Sequence, residues 1–243
     1  MNDTTPASYD TLGVLGGMGP FASAEFLKTI YEYNCWAAAE QEYPNVILHS
    51  ITSIPDRTGC LLSHKERHLE QNLRKNLETL CKSGVKRIVM CCVTSHYLLP
   101  AMPQEIIRKV VSLIDITARD LIKHREPSLL LATQGSYQKK IFETGPLGDD
   151  ASPYLVVPDT CDQAIIQQLI YSRLKPKGDT ADIFPEVRSM LNKYGLQSFI
   201  SGCTEFHLLV KYLLSDTPQN VRFIDPLLII AKHFREVMNG TYE

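Results

Sequence analysis

VMCCVTSH, Val89 to His96, is the stretch from which the fold can be read. It lies in a β-branched apolar run that begins after Gly84, a helix-stopping residue, so Cys91 and Cys92 are predicted to sit at the carboxyl end of a buried strand. In open α/β sheets that end is where ligands bind. The pattern recurs after Gly195 in LQSFISGCTEFH: Cys203 lies eight residues beyond its glycine, as Cys92 lies eight beyond Gly84, and His207 follows Cys203 by four, as His96 follows Cys92. Downstream, LID ends at Asp115, 23 residues after Cys92, and FID ends at Asp225, 22 after Cys203. Strand, cysteine, threonine, histidine and next strand thus recur together, which reads as an internal duplication with one thiol in each half.

Working outward, Thr11 to Gly17 (TLGVLGG) predicts a first strand entering a glycine turn, with a helix from Pro20 carrying Phe26, Ile30 and Tyr33 on one face. A strand over Val46 to Ile51 runs into IPDRT, where Pro55 stops pairing and delivers Arg57 to the sheet edge. Ser63 with Glu66 reads as a capping box ahead of the Leu69, Leu73, Leu77 and Leu80 stripe. The strand to Cys92, a short helix around Gln104 to Arg108 and the strand VVSLID close the first half. In the second half, strands are expected at Ser128 to Ala132, Tyr154 to Val157, before Cys203 and at Val221 to Ile224. The helices between them start at Thr160, which pairs with Gln163 as a cap, at Asp179 and near Glu205, and a last one runs from Pro226 to Asn239. This alternation predicts an α/β fold of two pseudo-symmetric lobes, each a mostly parallel four-stranded sheet flanked by helices. Residues 1–116 form the first lobe and 117–220 the second, with the strand and helix of 221–243 expected to cross back and complete the first.

Composition narrows the function. A chain of 243 residues, 44% hydrophobic, can bury a large core, and a formal charge of −2 provides no basic field for nucleic acid. Seven cysteines are an odd number, and MNDTTPASYD has neither the charged nor the apolar region of a leader, so reduced thiols and a cytoplasmic chain are expected. No apolar run nears the roughly 20 residues of a membrane span.

Five motifs in order then carry a family resemblance: GVLGGMGPFASAE (Gly13 to Glu25), IPDRT (Ile54 to Thr58), CVTSH (Cys92 to His96), SGCTE (Ser201 to Glu205) and IDP (Ile224 to Pro226). The chain resembles the aspartate/glutamate racemase family of cofactor-independent amino-acid racemases. That resemblance implies a cleft between two lobes in which Cys92 and Cys203 act as paired acid and base on an amino-acid substrate, with no cofactor and no metal. It also implies a homodimer. Thr94 and Thr204 match the threonines with which the family binds the α-carboxylate; Met18, Arg57, Ser95, Thr133, Gln134, Ser136 and Glu205 complete the expected substrate-binding set. Independently of the resemblance, inverting a carbon that bears a weakly acidic proton needs a base on one face and an acid on the other, and duplicated thiols fit that need.

Other readings weigh against particular residues. Cys35, Cys60, Cys81 and Cys161 read as small core residues, and the strand pleat should turn Cys91 away from Cys92. His96 and His207 are expected to cap or pack the following helices. GVLGGMG lacks the spacing of a dinucleotide or nucleotide phosphate loop, so its glycines should instead let backbone approach the substrate. A Cys/His metal or redox module is the alternative from another class, although no zinc spacing is present. Within the superfamily, hydantoin racemases and maleate isomerases are the nearest changes of reaction, whereas arylmalonate decarboxylases rely on a single motif cysteine. Val93 stands where the family usually has Asn, Ser50 to Ser53 (SITS) where aspartate racemases commonly place Asn, and Ala164 where they can carry a lysine. With Arg57 as the one cation, the pocket is expected to be roomy and to accept both aspartate and glutamate, or to prefer glutamate.

Overall fold

The computed structural model describes residues 10–35, 39–145, 147–180, 182–215 and 220–242; the stretch read above for a leader lies, as far as residue 9, outside them. Two parallel sheets repeat one topology. β1 (Leu12–Gly16), β2 (Val46–Ser50), β3 (Arg87–Met90) and β4 (Val110–Val111) are ordered β2-β1-β3-β4. β5 (Ser128–Leu131), β6 (Leu155–Val156), β7 (Ser198–Ser201) and β8 (Arg222–Ile224) are ordered β6-β5-β7-β8. β1, β5 and β7 are buried along their whole length, which is why they read as unbroken apolar or small-residue runs rather than as alternations.

The first lobe carries helices α1 (Pro20–Tyr33), α2 (Arg57–Leu62), α3 (Glu66–Lys82), α4 (Gln104–Ile107) and α5 (Leu113–His124). The second carries α6 (Gln134–Gln138), α7 (Gly148–Ala151), α8 (Thr160–Leu169), α9 (Lys175–Lys177), α10 (Ile183–Tyr194), α11 (Phe206–Ser215), α12 (Pro226–Lys232) and α13 (Phe234–Asn239). α3 buries the predicted stripe of Leu69, Leu73, Leu77 and Leu80. It hands over to β3 through Gly84 at φ 77°, as α10 does to β7 through Gly195 at φ 65°, both in the left-handed region that a side chain resists. One apolar core runs between the lobes, with Val14, Phe26 and Val93 from the first meeting Leu130, Ile200 and Ile230 from the second.

Several local expectations are corrected. LID is not strand: the Ser112 hydroxyl accepts from Asp115 N at 3.1 Å and caps α5, so pairing stops at Val111. Ser63 is no capping box; it ends α2, its Oγ donating to Gly59 O at 2.7 Å, and α3 starts without a side-chain cap. The cap of α8 is Asp159, not Thr160, accepting from Asp162 N at 2.9 Å. The last strand does not cross back. β8 pairs with β7 in the second sheet, in the register Phe199 with Phe223 and Ile200 with Ile224, because that places its apolar residues over the second lobe. What crosses is α12, whose Leu227, Ile230 and Ala231 share the central core with Phe26 and Ile30 as it packs on α1 and α5. Cys35 and Cys161 are exposed rather than core, while Cys60 is buried.

Candidate active site

Each motif thiol sits two residues past the end of an equivalent strand, Cys92 after β3 and Cys203 after β7. Both are nearly sealed from solvent, at 7% and 5% exposure. The two strand ends meet: Thr204 Oγ1 donates to the carbonyl of Cys91 at 3.3 Å, joining the residue after the second thiol to the residue before the first. Cys91 itself lies in the central core while Cys92 packs with Leu15 and Met18, so the pleat separates the neighbours as expected, and burial drives the Cys91 thiol well above its ordinary range.

The charges around the thiols differ. Arg57, the first residue of α2, is buried, and its guanidinium is held by the carbonyls of Met18, Ile54 and Pro55, the last at 3.2 Å. Its Nε has no partner. Burial acts to lower the Arg57 pKa, but Cys92, Asp56 and Glu205 together raise it, so this cation faces the first thiol. Beside Cys203 stands an anion. Cys203 Sγ donates to Glu205 Oε2 at 2.8 Å, and Thr204 Oγ1 reaches the same oxygen at 3.3 Å. Burial first, then Glu205, pushes the Cys203 thiol well up, with Lys175 working in the opposite direction. Glu205 Oε1 is buried without a partner, and a Cβ on Gly19 would overlap it, so the glycine loop makes room for this carboxylate.

Lys175 is the residue that sequence reasoning missed. α8 continues through a π-helical turn, Ile170–Leu174, into α9, and that turn brings Lys175 near Glu205 and Cys203. Burial lowers the Lys175 pKa, but Glu205, Cys203 and Tyr171 outweigh it and raise it. Its Nζ lies 3.7 Å from Asp56 Oδ2 and 3.8 Å above the Tyr171 ring, and the Tyr171 hydroxyl donates to Asp56 at 2.7 Å. Asp56, from the first lobe, is thus bridged by two groups of the second. The Lys-Pro-Lys-Gly sequence after Leu174 was the available signal. Ala164, the position expected to replace a lysine, is exposed on α8, and Val93 packs in the central core. Neither substitution therefore empties the pocket of a polar group.

The other expected residues divide. Thr94 Oγ1 lies 3.0 Å from Thr133 Oγ1 and 3.1 Å from Ser136 Oγ, a buried trio of hydroxyls drawn from both lobes. Gly135 admits this contact, since a Cβ there would stand 3.1 Å from Thr58 Cα and 3.3 Å from Thr94 Cγ2. Ser95 spends its hydroxyl on Met18 Sδ at 3.5 Å, and Gln134 offers its backbone N–H to Gln167 Oε1 at 2.9 Å. The histidines are committed elsewhere. Leu113 N–H donates to His96 Nε2 at 3.2 Å, so Nδ1 carries the proton and donates to Cys92 O at 2.9 Å; burial lowers the His96 pKa and keeps it neutral. His207 is clamped between Asp225 Oδ2 at 2.5 Å and Thr29 Oγ1 at 3.0 Å. Among the described residues no group of three or more His, Cys, Asp or Glu could hold a metal ion, and no helix is long and apolar enough to cross a membrane.

The sequence model of the family described as Asp/Glu/Hydantoin racemase matches residues 15–234. Among solved structures, an aspartate racemase of Picrophilus torridus superposes with a TM-score of 0.77 at 21% identity, covering 96% of this chain and 94% of that one. An aspartate racemase homologue from Pyrococcus horikoshii OT3 gives 0.69 at 20% identity over 96% and 100%. Glutamate racemase of Francisella tularensis subsp. tularensis SCHU S4, in complex with D-glutamate, gives 0.65 at 17% identity over 97% and 84%.

Proposed function

Because the chain belongs to the Asp/Glu/Hydantoin racemase family, we propose that it interconverts the enantiomers of an acidic amino acid without a cofactor, using Cys92 and Cys203 as the two proton-transfer groups. The observation that carries this reading is the junction of Thr204 with the Cys91 carbonyl, which brings the ends of β3 and β7, each with its thiol, to one point between the lobes. A thiolate on one side takes the α-proton as its C–H bond breaks. The thiol on the other side then gives its proton to the opposite face of the carbanion, and the roles reverse for the other enantiomer.

The remaining groups sort by chemistry. The hydroxyls of Thr94, Thr133, Ser136 and Thr204 suit an α-carboxylate, and charge-assisted contacts of this kind lower the cost of the carbanion formed beside it. Arg57 Nε and Lys175 Nζ are cations available to a second carboxylate on the side chain. The Arg57 terminal nitrogens already hold backbone carbonyls, so the grip on substrate is shared between the two cations rather than made by one bidentate fork. Aspartate and glutamate differ by one methylene, worth about 1–3 kcal/mol in a pocket, so both should be turned over.

A chiral assay across amino acids in deuterated water tests this, because it reports substrate and α-proton exchange together. Cys92→Ser and Cys203→Ser should each lower racemisation by about 10²–10⁴, and chelator should leave it unchanged. Wild-type rates in either variant would remove the two-thiol scheme. A preference of a thousandfold or more for aspartate over glutamate in kcat/KM would refute the substrate reading.

A further inference from the structure

The two thiols occupy equivalent positions in a duplicated fold, yet their surroundings carry opposite charge. Cys92 faces the Arg57 guanidinium, while Cys203 hydrogen-bonds a carboxylate at 2.8 Å. Glu205 stands at the position that Thr94 occupies in the other half, two residues after the thiol in each case. An aligned duplication therefore differs at this place by one full negative charge. Glu205 is 2% exposed and one of its oxygens has no partner, an arrangement that costs stability and persists where it serves the site. Gly19 is part of the same device, since any side chain there would displace the carboxylate.

We propose that Glu205 is a positioning residue that keeps the proton on Cys203, so that Cys203 enters turnover as the acid and the α-proton is left to Cys92. This rests on the racemase reading above. Two buried anions in contact repel strongly, so a Cys203 thiolate next to the Glu205 carboxylate is the disfavoured state, whereas an S–H hydrogen-bonded to it is favoured. The groups facing Cys203 are Glu205 and Thr204 on its own segment, Lys175 from the end of the π-helical turn, and Tyr137 on α6. Lys175 opposes Glu205, and its partial neutralisation by Asp56 limits that opposition. In the forward turnover the α-proton passes to Cys92 and the Cys203 proton passes to the opposite face. That leaves Cys92 protonated and Cys203 a thiolate, so one proton must leave Cys92 and one must return to Cys203 before the same enantiomer can be processed again. Glu205 favours the return to Cys203.

Infrared spectroscopy of the full-length protein reads this directly through the S–H stretch. At neutral pH, the difference between wild type and Cys203→Ser should show an S–H band, lowered in frequency by its bond to carboxylate. In Glu205→Gln, which keeps the shape and an acceptor oxygen but removes the charge, the Cys203 band should move, and alkylation of Cys203 by iodoacetamide should accelerate at least tenfold while that of Cys92 stays within about twofold. No S–H band from Cys203 in the wild type overturns the proposal whether or not the Gln variant folds. These readouts do not require turnover, so a protein that shows the Cys203 band but racemises nothing would refute the functional reading and leave the role of Glu205 intact.

Discussion

Lys175 is where a single side chain should separate binding from chemistry. It lies beside Cys203 and Glu205 and is drawn towards Asp56, so a substrate carboxylate would compete with Asp56 for it. A charged hydrogen bond is worth about 1.5–3 kcal/mol, which places the expected rise in KM for aspartate and glutamate in Lys175→Met at roughly 10- to 150-fold, with kcat changed much less. Steady-state kinetics on both enantiomers check it, and an unchanged KM would show that Lys175 serves only Asp56. His96 makes a different prediction. Its pKa is lowered in the folded state by burial, so below the ordinary value of 6.5 the unfolded chain takes up a proton that the folded chain refuses. Stability owed to this residue is therefore complete above about pH 6.5 and drains away as pH falls through that value. Melting temperatures of wild type and His96→Gln between pH 5 and pH 8 should converge at the acid end; a constant gap would contradict the assignment.

At the scale of elements, the glycine loop after β1 is the part least tolerant of change. Gly17 sits at φ 85°, where a Cβ would collide with the backbone of Ile51, and a Cβ on Gly19 would collide with Glu205. Gly19→Ala should cost activity beyond its effect on stability, because the collision falls on the partner of Cys203; circular dichroism melts together with racemisation rates distinguish the two. An active Gly19→Ala enzyme would mean that the carboxylate can swing away harmlessly. Much of the architecture was legible in the sequence, and the reasons are local. Gly84 and Gly195 end their helices by taking a left-handed conformation, and the unbroken apolar runs after them could only be buried parallel strands. The thiol ends followed from the duplication. What failed was chemistry decided by competition. Ser112 outbid continued pairing by capping α5, and Asp159 took the cap that Thr160 was expected to fill. The π-helical turn that places Lys175 leaves no periodic signature, and the Glu205 contact joins residues whose proximity depends on how a strand end and a loop from different lobes pack.

For the whole molecule, the two lobes behave as one body. His207 on α11 is held by Asp225 at the head of α12 and by Thr29 on α1, and the hydroxyl trio of Thr94, Thr133 and Ser136 closes the opposite side. A single cooperative unfolding transition is therefore expected, with the same midpoint whether far-ultraviolet dichroism or reactivity of the buried thiols is followed. The family resemblance adds an expected homodimer, for which light scattering should return about twice the 27.4 kDa of one chain; a monomer mass would refute it. The crossing of α12 onto the first lobe has one more consequence, for synthesis on the ribosome. Phe26 and Ile30 of α1 are translated early, but the Leu227, Ile230 and Ala231 that cover them arrive about two hundred residues later. The first lobe cannot finish folding as it emerges. It must wait with that apolar face uncovered for most of translation, so nascent chains stalled before Pro226 should be the ones that chaperones capture.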